Sequence, residues 1–152
     1  MILSNLQIFI ADVVGNGLVV TDTQRFKRFE GPIFDPVEKH SHFRISGQEF
    51  YLPDGLFGLA LSPIMKNNKR FLAFRPLASK SLYIAEVNDI FNAADFDSIT
   101  YYEGKDIFPS QVSTMAYSND GILFFHLAGH TATGCWNHKK SLKPKNLVKY
   151  KF

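Results

Sequence analysis

Chemistry in a chain of this size needs titratable or nucleophilic side chains that the fold can bring together, and few stand here at useful spacings. His40 and His42 alternate, so an extended segment could turn both to one side. As metal ligands they would need two more partners. The alternative is a pair of surface-loop histidines near Asp35 and Glu38. His126, His130 and His138 fall near strand ends and turns, and His126 is the one that could line a channel. No His-Glu-x-x-His, Gly-x-Ser-x-Gly, phosphate-binding loop or dinucleotide fingerprint occurs. The expectation is therefore no catalytic centre, no cofactor and no metal. Cys135 is the single cysteine, so it is either a free thiol or bonded to a partner outside this chain.

The 152 residues carry a formal net charge of +3. Lysines concentrate at the end, at Lys139, Lys140, Lys143, Lys145, Lys149 and Lys151. Such a cluster could hold a polyanion, or it could be a solvated outer strand whose charges guard an edge. A solvated outer strand is expected, with no nucleic-acid partner. No apolar run approaches the roughly 18 residues of a membrane-crossing helix, so no membrane partner is expected. Met1 to Asn5 lacks the basic start and cleavage site of a leader peptide.

Any site must be positioned by strands. The fifteen phenylalanines sit in short runs with Val, Ile and Thr, separated by turn residues, and no helical periodicity is sustained. Strands are expected at Gln7 to Val13, Leu18 to Asp22 and Phe26 to Glu30, with Gly15-Asn16-Gly17 as a tight turn. A connection follows, in which 43–45 and 49–52 form a small hairpin around Ser46-Gly47. Four strands come next, at 57–61, 70–74, 82–87 and 98–102, with a short helical turn within 89–95. A similar series follows at 112–117, 122–127, 131–136 and 147–151. Leu72 and Leu123, or Ile84 and Cys135, are about 50 residues apart, the period of a four-stranded propeller blade. The fold class expected is all-β, an incomplete propeller of roughly two to three blades. It divides into a blade remnant at 1–31, supplying second, third and fourth strands, a connection at 32–53, and blades at 54–108 and 109–152.

Four segments carry a family resemblance. Phe9-Ile10-Ala11-Asp12 with Gly17-Leu18-Val19-Val20 resembles the "IAD … GLIVYD" segment of the yellow / major royal jelly protein family. Asp54-Gly55-Leu56-Phe57-Gly58-Leu59-Ala60-Leu61-Ser62-Pro63 is similar to that family's "DGIFGLALSP". Phe74-Arg75-Pro76-Leu77-Ala78-Ser79 resembles "FHPLAS", with Arg75 in place of His. Gly134-Cys135-Trp136-Asn137 matches "GCWN". Residues 44–50 depart from the usual pattern and look more like the salivary branch of blood-feeding sand flies.

The resemblance implies a six-bladed propeller from an insect, secreted under a leader peptide lying upstream. For the salivary branch it implies a monomer that binds biogenic amines (serotonin, histamine, catecholamines) and counters host vasoconstriction and haemostasis. It also implies that Cys135 pairs with a cysteine outside this chain and that part of the pocket lies beyond Phe152. An amine ligand joins a cation to an aromatic ring. Its pocket should offer aromatic faces, an acceptor for the ammonium and some amide or hydroxyl groups. Gln48, Phe50, Phe57, Gln111 and Thr114 meet that description at the ends of the inner strands, with Asp54 as a counter-charge. Packing or turn formation is the alternative for each. Two other functions fit the family: dopachrome conversion in the melanin pathway, and a nutritive or structural role as in royal jelly.

Overall fold

The computed structural model describes residues 6–22 and 24–151. The leader-like question at Met1 to Asn5 lies outside these residues. Strands β1 (Ile8–Asp12), β2 (Gly17–Thr21) and β3 (Phe26–Glu30) form one antiparallel sheet in chain order. A two-stranded hairpin follows, β4 (His42–Ile45) and β5 (Gln48–Tyr51). Ser46 and Gly47 both take positive φ, 51° and 82°, which gives the hairpin the backbone twist of a tight two-residue loop. The second large sheet is β6 (Leu56–Leu61), β7 (Phe71–Pro76), β8 (Leu82–Glu86) and β9 (Tyr101–Gly104). The third is β10 (Val112–Tyr117), β11 (Ile122–Leu127), β12 (Ala132–Asn137) and β13 (Leu147–Lys151). The three large sheets stack one on the next as an arc of a propeller.

The helical turn and the fourth strand differ from the sequence expectation. Helix α1 spans Val87–Asn92, and β9 begins only at Tyr101. The Asp95 side chain accepts a 2.9 Å hydrogen bond from the Ser98 backbone N–H, closing a single 3-10 turn. That turn drives Phe96 into the interior and delays the strand.

Two cores hold the arc together. Leu18, Val20, Phe29, Phe34, Leu72, Phe74 and Phe96 fill the space between the first and second sheets. Ala73, Leu82, Ile84, Phe108, Leu123, Phe125 and Trp136 fill that between the second and third. Alternation along each strand makes this possible, because successive side chains point to opposite faces. On β7, Leu72 and Phe74 face the sheet before, and Ala73 faces the sheet after.

The same alternation leaves the far face of the third sheet open. The register sets Ala116, Phe124, Cys135 and Val148 in one row across all four strands. The matching row of the second sheet, Ala60, Ala73 and Ile84, is buried against the third. On the open row Phe124 is 43% and Val148 47% exposed. Burying such rows is worth about 25 cal/mol per Å². The 152-residue chain by itself is therefore expected to self-associate at micromolar concentration, and Phe124→Asp to weaken that association. Sedimentation velocity checks this; a monomer across the whole concentration range would overturn it.

Candidate functional site

Strand polarity defines two ends. Leu56 at the start of β6 pairs with Pro76, and Val112 at the start of β10 pairs with Leu127. The starts of the inner strands thus share an end with the β4–β5 hairpin and the β7–β8 and β11–β12 connections. The residues proposed from sequence gather at this end.

Both inner strands carry a bulge there, between Leu56 and Gly58 and between Val112 and Met115. Bulges re-aim side chains. Phe57 is the extra residue of the first and stands 43% exposed. Thr114 lies within the second and is also exposed. Gln48 and Phe50, two apart on β5, share a face and are exposed. The Asp54 carbonyl accepts a 3.0 Å bond from Ala78 N–H, fixing the chain as it enters β6. Its half-buried carboxylate has no hydrogen-bond or ion-pair partner among the described residues.

Gln111 is placed differently. Its side chain is buried, and its amide donates to the carbonyls of His40 at 2.7 Å and His42 at 3.0 Å. It clasps the hairpin onto the third sheet. No hydrogen bond or ring contact joins Gln48, Phe50, Phe57 and Thr114 among the described residues. Thr114 lines a groove of about 150 Å³ with Phe124, His126 and Thr133 on the open face, and none of the other four reaches it. His126 Nδ1 lies 2.9 Å from Ser113 Oγ in the same region.

His40 is not the surface-loop histidine expected from its neighbours. It is buried, with Nδ1 unpartnered and Nε2 3.9 Å from Asp106. His42 is exposed and packs its ring 5.1 Å from that of Tyr51. Burial holds the His40 imidazole below its ordinary 6.5; Asp106 opposes this, while Lys39, Lys80 and Arg75 add to it. Burial likewise lowers His138. The unfolded chain takes up these protons as pH falls through 6.5, and the folded chain does so only lower. Their contribution to stability is thus complete above 6.5 and lost as pH falls toward the folded values. A lower melting temperature at roughly pH 5.5 than at 7.5 is expected. His40→Leu, which leaves no buried polar atom behind, should remove part of the difference.

The Arg75 side chain was not singled out by its motif, yet it is the most deeply placed charge. It is fully buried and donates to Ser81 O at 3.3 Å and to the carbonyls of Ser79 and Val112. Its guanidinium sits 5.6 Å from the Phe108 ring. Desolvation pushes its pKa down to about 9, so it stays cationic at neutral pH. Arg75 occupies in the second sheet the place His126 occupies in the third. Among the described residues no group of three or more His, Cys, Asp or Glu could hold a metal. Cys135 is half-buried on the open row and unbonded.

The comparisons agree with the motifs. The family model described as "Major royal jelly protein" matches residues 4–151. "Major royal jelly protein 6" of Apis mellifera is 34% identical over 146 residues, covering 94% of this chain and 32% of that protein. "Major royal jelly protein 1" of the same species is 35% identical over 148 residues, covering 95% and 33%. The chain thus spans about a third of the length of these relatives. Among solved structures, "Streptogramin B lyase structure" aligns with 96% of this chain and 51% of its own, at TM-score 0.44 and 16% identity. Matched along nearly its whole length, the chain belongs to the yellow / major royal jelly protein family.

Proposed function

We propose that this chain is part of a secreted protein that binds biogenic amines, removing serotonin, histamine or catecholamines at a bite site. The observation carrying this reading is the exposed Phe57, re-aimed by its bulge, close in sequence to the Asp54 carboxylate, which has no partner among the described residues. An aromatic face and a carboxylate are what an aryl-ethylammonium ion needs. Phe50 and Gln48 on the hairpin offer a second ring and an amide, whereas Thr114 serves a separate groove on the open face. Gln111 serves by holding the hairpin in place. The exposed groups suit binding rather than turnover, and Cys135 pairs with a cysteine elsewhere in the full protein, which acts as a monomer.

Titration calorimetry of the full-length protein with serotonin tests this. Saturable heat is expected, weakened about tenfold by Phe57→Ala. No heat at micromolar ligand sinks the reading. A nutritive or structural role is the second reading, supported by relatives that bear royal jelly names. Abundance in a glandular food secretion without amine affinity would favour it.

A further inference from the structure

At the opposite end of the sheets lies a second site of different character. The turn between β6 and β7, the turn between β10 and β11 and the segment after β12 meet there around His138. Its ring centroid is 4.7 Å from Phe71, 5.3 Å from Trp136 and 6.1 Å from Tyr117. The Tyr117 hydroxyl lies 3.3 Å from His138 Nδ1. Burial raises the Tyr117 pKa and lowers that of His138, so the phenol keeps its proton and the imidazole is neutral. When the phenol donates to Nδ1, the ring proton sits on Nε2; in the other tautomer Nδ1–H donates to the phenol oxygen. No partner for Nε2 exists among the described residues.

His138 and Phe71 form the shared wall of two adjoining clefts. One, of about 220 Å³, is bordered by Ile84, Tyr102, Trp136 and Lys140. The other, of about 710 Å³, is bordered by Met65, Lys66, Asn119, Asp120 and Lys139. The latter is in the size range of small-molecule sites. Lys69 at the rim is engaged by Glu86 at 2.6 Å. Lys66, Lys139 and Lys140 are exposed and make no ion pair among the described residues. Asp120 is the one carboxylate bordering either cleft. The Trp136 indole N–H is already donated to Ser141 O at 3.3 Å, so Nε2 of His138 and the Tyr102 hydroxyl are the ring polar groups left at the wall.

We propose that these two adjoining clefts together bind small planar aromatic anions such as aryl carboxylates. The rings of Phe71, Tyr102 and His138 supply stacking surface. Nε2 of His138 supplies a directional polar group at the wall, a donor when Tyr117 donates to Nδ1, and Lys66, Lys139 and Lys140 outweigh Asp120 to select negative charge. The site is thus opposite in charge preference, and opposite in place, to the amine site.

Trp136 is the single tryptophan of the chain; it borders the smaller cleft and packs against His138 of the shared wall, so its emission reports on both. The probe is 4-nitrobenzoate, a quencher, with uncharged 4-nitrobenzamide as its isostere. Saturable quenching by the benzoate is expected, at least about tenfold weaker with the amide. A double Lys139→Ala, Lys140→Ala variant, altered only on the surface, should weaken the benzoate by a similar factor. Phe124→Ala on the open face should leave the curve unchanged. Equal quenching by both probes, a linear unsaturable response, or an effect of Phe124→Ala in place of the lysine variant would each overturn the proposal.

Discussion

Arg75→Ala is expected to destabilise the chain by roughly 3 kcal/mol, read from urea unfolding at neutral pH. Three backbone carbonyls lose their donor at once, those of Ser79, Ser81 and Val112. Each stranded acceptor costs about 1–3 kcal/mol when buried. Against this stands the relief of no longer burying a cation, a several-kcal/mol term. The loss wins because the alanine also leaves a void beneath the Phe108 ring. Val112 belongs to the third sheet, and Ser79 and Ser81 to the β7–β8 connection of the second, so the variant should loosen the joint between the two sheets. Arg75→Lys should recover less than half the loss, since an ammonium lacks the planar fork that meets several carbonyls together. If Arg75→Ala unfolds at the same urea concentration as the parent, the guanidinium is not the joint described here.

Phe96→Ala should cost more, about 3–5 kcal/mol in the same measurement. The ring lies 6.0 Å from Phe29 of the first sheet, 4.7 Å from Phe34 and 5.9 Å from Phe74 of the second. These are edge-on contacts, the favoured arrangement of aromatic quadrupoles. Phe34 and Phe74 are fully buried, so the void cannot fill with solvent and has little freedom to collapse. Phe96→Leu, closer in volume, should lose about half as much. Equal costs for leucine and alanine would show that ring geometry, not volume, sets the penalty.

Much of the fold was legible in the sequence because its determinants are local. The apolar runs at 122–127 and 131–136, the Ser46-Gly47 loop and the repeat linking Ile84 to Cys135 all report strands, the run at 131–136 one residue early of the observed 132–137. Phe96 was hidden because a capping bond from Asp95, rather than periodicity, turns it inward. The site was less legible. Asp54 and Phe57 follow from their position at the start of an inner strand. That Gln111 spends its amide on carbonyls about 70 residues earlier in the chain cannot be read from neighbours. The same holds for Arg75, which resembles a conservative change within a motif until Val112 is seen opposite it. His138 gathers its aromatic surroundings from three connections that share no spacing. The approach of Leu142 to within 2.9 Å of a Cβ built on Gly104 is equally a matter of sheets meeting.

The open row on the third sheet has a counterpart at the other end of the arc. There Ile10 and Val19 are neighbours across β1 and β2, and Ile8, Ile10 and Phe26 are exposed. The two apolar ends are different surfaces, one presenting Phe124, Val148 and Tyr150, the other isoleucines and a phenylalanine. A contact that seats one of these ends on the other joins copies head to tail. A heterologous joint closes only when its rotation completes a circle, and otherwise it propagates without limit. The stoichiometry of any such assembly is then set by the angle between successive sheets, a quantity fixed inside each chain before two copies meet.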